Sequence, residues 1–321
     1  MNIGWSKLYS YLTRKPGKYS AVGIEYNQNG LHLCALRKHD QGHIWSLSET
    51  FPLSDWREKL AEFVSEHEMA NSHTVISFAT KKYHLVQADR PQVPDEELAQ
   101  ALQWSVKDLI VTQEEVVTDY FELPAQTTGA NKVNVVALPK DDLFAVCEGV
   151  LKANLFIRTV TVEELCNCDL IDDSNDAVLA VIQDPAAEVC LNIIKNRNLY
   201  FSRRIRGYEN LSTFTEAELQ MGVIDNLSVE LQRSMDFFEG QLRQAPVKKI
   251  IMQLDNDNLA AIVKMVGEAM LVTTEMLNPG IVCEEGIEFK PDDLCALGAA
   301  MSLVRAEEAK TPAEPESEDA A

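Results

Sequence analysis

The sequence predicts an α/β protein of two duplicated lobes, with a smaller α/β subdomain inserted into the first. Three observations predict it. Short apolar runs of period 2 alternate with stripes of helical period. The order strand-strand-strand-helix-strand occurs twice, about 155–160 residues apart, which marks an internal duplication. The text between the two copies carries strands and helices of its own. Two such units facing each other enclose a cleft.

In the first copy Val22, Ile24 and Tyr26 alternate with small or polar residues, and so do Leu31, Leu33 and Ala35 after Asn29-Gly30. That pattern predicts a hairpin whose turn uses positive φ at its central residues. A third strand over 44–51, an amphipathic helix over 55–69 and a buried strand over 74–78 complete the unit. The echo has strands over 177–183, 188–194 and 199–206, a long helix over 215–240 and a strand over 248–253. A helix over 258–270, a short strand over 286–289 and a helix over 292–306 follow, the last with a small-residue face of Ala296, Ala299 and Ala300.

Between the copies, a strand over 81–88 leads to Pro94, at a helix start, with Asp95, Glu96 and Glu97 in the first turn, where acids suit the positive end of the helix dipole. Strands over 116–123 and 132–138, a helix over 140–154 and a strand over 156–161 complete the predicted insertion. The expected organisation is a basic N-terminal segment (1–18), a first lobe (19–80 and 163–176), an inserted subdomain (81–162), a second lobe (177–306) and an acidic tail (307–321). The tail is rich in Ala, Pro, Glu, Ser and Asp, a composition that predicts disorder.

Charge narrows the function classes. Fifty acidic against 29 basic residues give a net charge of −21, the opposite of a nucleic-acid footprint, so no nucleic-acid partner is expected. Seven cysteines, an odd number set mostly among apolar residues, predict reduced buried thiols rather than a disulfide framework. No apolar run approaches the roughly 18–20 residues of a membrane span, and the body is expected in the cytoplasm. The N-terminal segment differs: Trp5, Leu8, Tyr9 and Leu12 form one helical stripe, and Lys7, Arg14 and Lys15 supply charge with no acid before Glu25. A short basic amphipathic helix is a candidate for contact with a membrane surface.

Other chemistry lacks a pattern. The six histidines share no metal-ligand spacing, Cys166 and Cys168 stand too close for a CxxC site, and no nucleophile elbow, P-loop or dinucleotide fingerprint occurs. No metal site and no catalytic residue is expected. Arg203, Arg204 and Arg206 are the one dense basic cluster in the body, and pairing with the acidic surface is favoured over a partner contact.

The approach to Glu97 followed by Leu98-Ala-Gln-Ala-Leu-Gln-Trp104, the helix Glu230-Leu-Gln-Arg233-Ser234-Met-Asp-Phe237-Phe238, and the ending Leu294-Cys-Ala-Leu297-Gly298 resemble the PilM group of actin-like proteins of type IV pilus assembly. The resemblance covers most of residues 20–306. Within the group it is closest to the branch serving mannose-sensitive haemagglutinin (MSHA) pili. It implies actin-like (ribonuclease H-like) lobes and a place at the cytoplasmic face of the bacterial inner membrane. It also implies a PilN-like inner-membrane protein as partner, its short cytoplasmic tail held in a groove partly formed by the inserted subdomain, with other pilus platform proteins nearby.

The resemblance also implies ATP in the central cleft, yet three loops depart from the ATP-binding pattern. The first hairpin of such relatives reads Asp-Ile-Gly-Ser-x-Ser, where the acid acts through bound magnesium and the small residues open backbone N–H groups to phosphate. Here Glu25 keeps an acid, but Asn27 and Gln28 replace the glycine and serine. The second hairpin carries Asp184-Pro185, and proline removes an N–H donor. The Gly-Gly pair after the next strand is replaced by Asp255-Asn256. The expectation is therefore a non-catalytic scaffold with no cofactor, or at most weak binding of ATP and magnesium. An ATP-binding actin-like regulator and a type II secretion-like cytoplasmic platform component are the alternatives.

Overall fold

The computed structural model describes residues 17–309 except 41, 108, 111, 113 and 288. The N-terminal residues singled out above, Trp5 to Lys15, and the tail beyond 309 lie outside the described residues. In chain order the elements are β1 (Ala21–Tyr26), β2 (Gly30–His39), β3 (Gly42–Pro52), α1 (Trp56–Glu66), β4 (His73–Phe78), β5 (His84–Asp89), α2 (Asp95–Ser105), β6 (Val116–Phe121), β7 (Lys132–Pro139), α3 (Lys140–Lys152), β8 (Phe156–Val162) and α4 (Glu163–Asp169). The second half continues with β9 (Val178–Ile182), β10 (Val189–Lys195), β11 (Asn198–Ile205), α5 (Ile224–Gly240), β12 (Lys249–Gln253), α6 (Leu259–Met270), β13 (Thr273–Met276), β14 (Val282–Cys283) and α7 (Leu294–Glu308).

The duplication shows in the topology of both sheets, with β14 an added edge strand in the first. One sheet runs β14-β3-β2-β1-β4-β8 and the other β11-β10-β9-β12-β13. In both, an antiparallel meander of three strands is extended by two parallel strands. The period-2 pattern of β1 separates two buried faces rather than a buried from a wet one. Val22 and Ile24 join the core beneath α1 and α3, while Ala21 faces the core under α7. Gly23 lies on that second face because a Cβ there would come within 1.8 Å of the Ala296 carbonyl oxygen.

The two lobes exchange their last helices. α4, which follows the final strand of the first sheet, touches β10 and β11 of the second. α7, which follows the second sheet, packs on β1, β2 and β4 of the first. The helices cross where a Cβ on Gly298 would come within 2.4 Å of the Cys166 carbonyl oxygen. α4 therefore stands at the junction of both lobes rather than inside the first.

Several expectations need correction. α3 and β8 do not stand apart with the insertion: β8 pairs in parallel with β4, and Val146 and Val150 of α3 fill the first lobe's core. What stands outside that sheet within 81–162 is the three-stranded sheet β5-β7-β6 with α2. The β1–β2 turn does not use positive φ at Asn29 or Gly30. Instead Asn27 Oδ1 accepts from the N–H groups of Asn29 (2.8 Å) and Gly30 (3.0 Å), an Asx-type turn. Gly30 is needed for space, since a Cβ would sit 2.1 Å from the Phe51 carbonyl oxygen.

The long helix begins at Thr215 with a capping box to Glu218 but breaks at Gly222 (φ 103°) before α5 starts. The short strand predicted over 286–289 is absent among the described residues; β13 and β14 precede it instead. β13 escaped notice because Thr273, Thr274 and Glu275 offer no apolar alternation. Finally, α7 runs to Glu308, because Ala306, Glu307 and Glu308 are good helix formers, so residues 307–309 belong to the folded body.

Candidate functional site

Two concave sites border the second lobe. The first is the cleft floor, a cavity of about 130 Å³. Glu25 enters from β1 and Asp184 from the end of β9, with Asn27, Gln28 and Pro185 around the rim. Glu25 is buried, and its Oε1 has no hydrogen-bond partner among the described residues. Burial, then the nearby Asp184 and Glu163, push its carboxyl well above the usual range. Burial, then Asp184 and Glu164, raise the Glu163 carboxyl well above it too. Burial and Asp292 push Asp184 to about 7.

The loops that would cradle phosphate are occupied by their own side chains. Asn27 takes the amides of Asn29 and Gly30. Asp255 Oδ2 accepts from the Ala186 N–H at 3.2 Å, and the Asp184 carbonyl accepts from Ala187 at 3.0 Å. Gln183 bridges three partners: its amide donates to the carbonyls of Ala187 (2.9 Å) and Tyr208 (2.8 Å), and its Oε1 accepts from the Asp255 N–H (3.3 Å). Asn256 is turned inward, donating to the carbonyls of Leu211 (2.6 Å) and Phe214 (3.0 Å). The cavity is well below the roughly 300–1,000 Å³ of ligand pockets. Among the described residues no three His, Cys, Asp or Glu side chains are placed to hold a metal ion. A magnesium-bound triphosphate does not fit this donor set.

Sequence reasoning missed the network behind the cleft. The Tyr83 hydroxyl donates to Glu164, which also receives Arg204 at 2.5 Å. Arg204 donates in addition to the Thr80 carbonyl at 3.1 Å, while the Thr80 N–H donates to Glu163 Oε2 at 3.0 Å. Adjacent acids at the start of a helix, Glu163-Glu164, were the available signal. All three clustered arginines pair within the chain, as favoured: Arg203 with Glu230, Arg204 with Glu164 and Arg206 with Glu188.

The second site is a groove of about 300 Å³ between the inserted sheet and the second lobe. Phe121 and Leu123 form one wall; Tyr200, Phe201 and Phe237 form the other. β11 is an edge strand of its sheet, so the main-chain groups on its outer side carry no ladder. Gln126 closes the β6–β7 loop over the groove: its Oε1 accepts from the Lys132 N–H (2.7 Å) and its amide donates to the Lys132 carbonyl (3.0 Å). Phe238 of α5 is buried in the core of the second lobe, while the neighbouring Phe237, off the buried stripe, lines the groove.

No protein-family model and no curated protein matches the chain. Among solved structures it is similar to the PilM-PilN type IV pilus biogenesis complex, at 17% identity and a TM-score of 0.64, over 89% of this chain and 99% of that one. It is also similar to a Bacteroides thetaiotaomicron protein with an actin-like ATPase fold (11% identity, TM-score 0.49, 82% and 93% covered). A third is the cytoplasmic domain of EpsL, an inner membrane component of the type II secretion system of Vibrio cholerae (13% identity, TM-score 0.48, 90% and 94% covered). The fold is actin-like.

In this actin-like frame the residues of the PilM-like text divide. Glu230, on α5, joins Arg203 of β11 and Arg233 (2.6 Å), and Ser234 donates to the Glu230 carbonyl at 3.0 Å. That cluster fixes α5 against the groove strand. Pro94 precedes α2 and its carbonyl accepts from the Glu97 N–H at 3.0 Å. Trp104 stands 70% exposed on α2, outside the groove.

Proposed function

We propose that the chain is a non-catalytic platform component of the PilM type, binding the cytoplasmic tail of a PilN-like inner-membrane protein in the groove beside β11. The groove carries this reading. An extended tail could add main-chain hydrogen bonds to the free edge of β11 and seat apolar anchors between Phe121, Phe201 and Phe237. The likeness to the PilM-PilN complex supports the choice of partner, and the self-satisfied cleft loops support a scaffold over an ATP-driven regulator. The finer assignment is an MshI-like component of an MSHA pilus platform, peripheral to the inner membrane, with the basic N-terminal segment as a second attachment. The alternative platform, type II secretion, would present a different tail to the same groove.

Fluorescence anisotropy with a labelled PilN-like tail peptide tests the reading. Phe237→Ala and Phe121→Ala should each weaken binding about 10-fold or more, as anchors in a desolvated pocket do. Unchanged affinity in both variants would place the partner elsewhere.

A further inference from the structure

One helix face of the first lobe is apolar and open. α3 turns Val146 and Val150 into the core. Phe144 and Leu151, at i and i+7 and so on one face, stand 60% and 53% exposed. Cys147, one turn from each, is half-buried. α1 packs on the Gly149 flank, where a Cβ would come within 2.3 Å of the Trp56 ring, and leaves the Phe144 flank uncovered. The outer face of α1 offers no such patch: Arg57, Glu58, Lys59, Glu62, Ser65 and Glu66 are its exposed residues.

The chain carries a complementary stripe close by. Trp5, Leu8, Tyr9 and Leu12 span the same seven-residue interval as Phe144 to Leu151, two helical turns or about 10 Å. Their point of departure is fixed by Gly17, where a Cβ would come within 2.3 Å of the Ser72 Oγ. The residues around Ser72 are bonded to the chain that leaves α3: the Asn71 N–H donates to the Asn154 carbonyl (2.8 Å), and the Phe156 N–H to the Ser72 carbonyl (3.0 Å). The N-terminal segment therefore joins the body beside the C-terminal end of α3. β1, β4 and β8 run parallel, so residues 1–16 enter β1 at the same end of the sheet at which α3 enters β8. Residues 13–16, extended, reach about 13 Å, enough to pass the end of a helix about 10 Å wide. Charge agrees: α1 and α3 together carry six acids against four bases, and residues 1–16 carry three bases and no acid.

We propose that residues 5–12 dock alongside α3 and parallel to it, Leu12 toward Leu151 and Trp5 toward Phe144, as a built-in cover for this face. The occupant is the chain's own N-terminal segment, held by apolar burial and by the acidic surface of the two helices. The same stripe serves the membrane contact proposed above, so docking and attachment exclude each other. That consequence rests on the platform reading; the docking does not.

Alkylation of Cys147 by N-ethylmaleimide in the full chain, followed by peptide mass spectrometry, tests the cover, with the exposed Cys283 as internal reference. Leu8→Glu lies outside the described body and should leave far-UV circular dichroism unchanged. It should speed modification of Cys147 about 10-fold relative to Cys283, as loss of one buried leucine anchor implies. A synthetic peptide of residues 1–17 should restore slow modification to a chain lacking residues 2–16. Equal Cys147 rates in wild type and Leu8→Glu overturn the proposal. So does protection that grows with protein concentration, which would mean that a second copy covers the face. Phosphatidylglycerol vesicles should raise the wild-type rate to that of Leu8→Glu. No change with vesicles would refute the membrane attachment alone, because the rates without vesicles stand by themselves.

Discussion

The guanidinium of Arg204 donates to the fully buried carboxylate of Glu164 at 2.5 Å, joining the edge strand of the second lobe to the junction helix α4. Removing one partner of such a pair strands the other charge in a low-dielectric site, at about 3–5 kcal/mol. Arg204→Ala should lose stability on that scale in urea denaturation. Arg204→Lys should fall between, because one ammonium cannot span Glu164 and the Thr80 carbonyl as a planar fork does. A loss below about 1 kcal/mol for the alanine variant would mean that solvent reaches the pair.

The helix α7 approaches β1 at Gly23 as closely as backbone can. Gly23→Ala puts a methyl group 1.8 Å from the Ala296 carbonyl oxygen, and backbone on both sides leaves nothing flexible to yield. The expected cost is about 3 kcal/mol or more. Gly222→Ala is a different test: its φ is 103° but open space surrounds it, so conformational strain alone should cost about 1–2 kcal/mol. Thermal melts of the two variants separate crowding from strain.

Stability should fall as pH rises through the interval from about 4 to about 7. Each cleft carboxyl has its folded pKa above its unfolded one, so the native state holds more protons across that interval and loses relative stability as they leave. For Asp184 the interval runs from the model-compound value of 3.8 to about 7, and above it the loss is complete. The melting temperature at pH 5 should therefore exceed that at pH 8, and Asp184→Asn should shrink the difference. An unchanged difference in that variant would assign the slope to other groups.

Calorimetric titration with magnesium-ATP to millimolar concentration should show no saturable heat, because the loop amides are already bonded to Asn27, Asp255 and Gln183. Asn27→Gly frees two of those amides and is the variant in which weak binding should first emerge. Saturable wild-type binding tighter than about 100 µM, near 5.5 kcal/mol, would instead favour the nucleotide-regulated reading.

The duplication was legible because period-2 strands and amphipathic helices are local patterns that survive in each copy. The identities of both faces of β1 were less so: alternation of Val22 and Ile24 with Ala21 and Gly23 looks the same whether the second face meets water or a helix. Sheet membership is non-local, and nothing between residues 140 and 162 announces that β8 pairs with β4 rather than with β7. The altered cleft loops could be read directly as replacements at Asn27, Pro185 and Asn256. Their occupation by internal hydrogen bonds could not, since Gln183 reaches Tyr208 and Asp255 only once the chain has folded. The resemblance implied a groove partly on the inserted subdomain, but its residues could not be picked out for the same reason, since Phe121 and Phe201 stand 80 residues apart in sequence.

The exchange of α4 and α7 sets the order of events during synthesis. The first sheet is made by residues 21–162 apart from β14, but the helix that covers Ala21, Gly23 and the adjoining face of β4 is residues 294–308. One apolar side of the first sheet therefore stays bare during synthesis until residues 294–308 have emerged, and such a surface invites misassociation. Truncation within α7 should cost the N-terminal lobe its solubility, far from the cut.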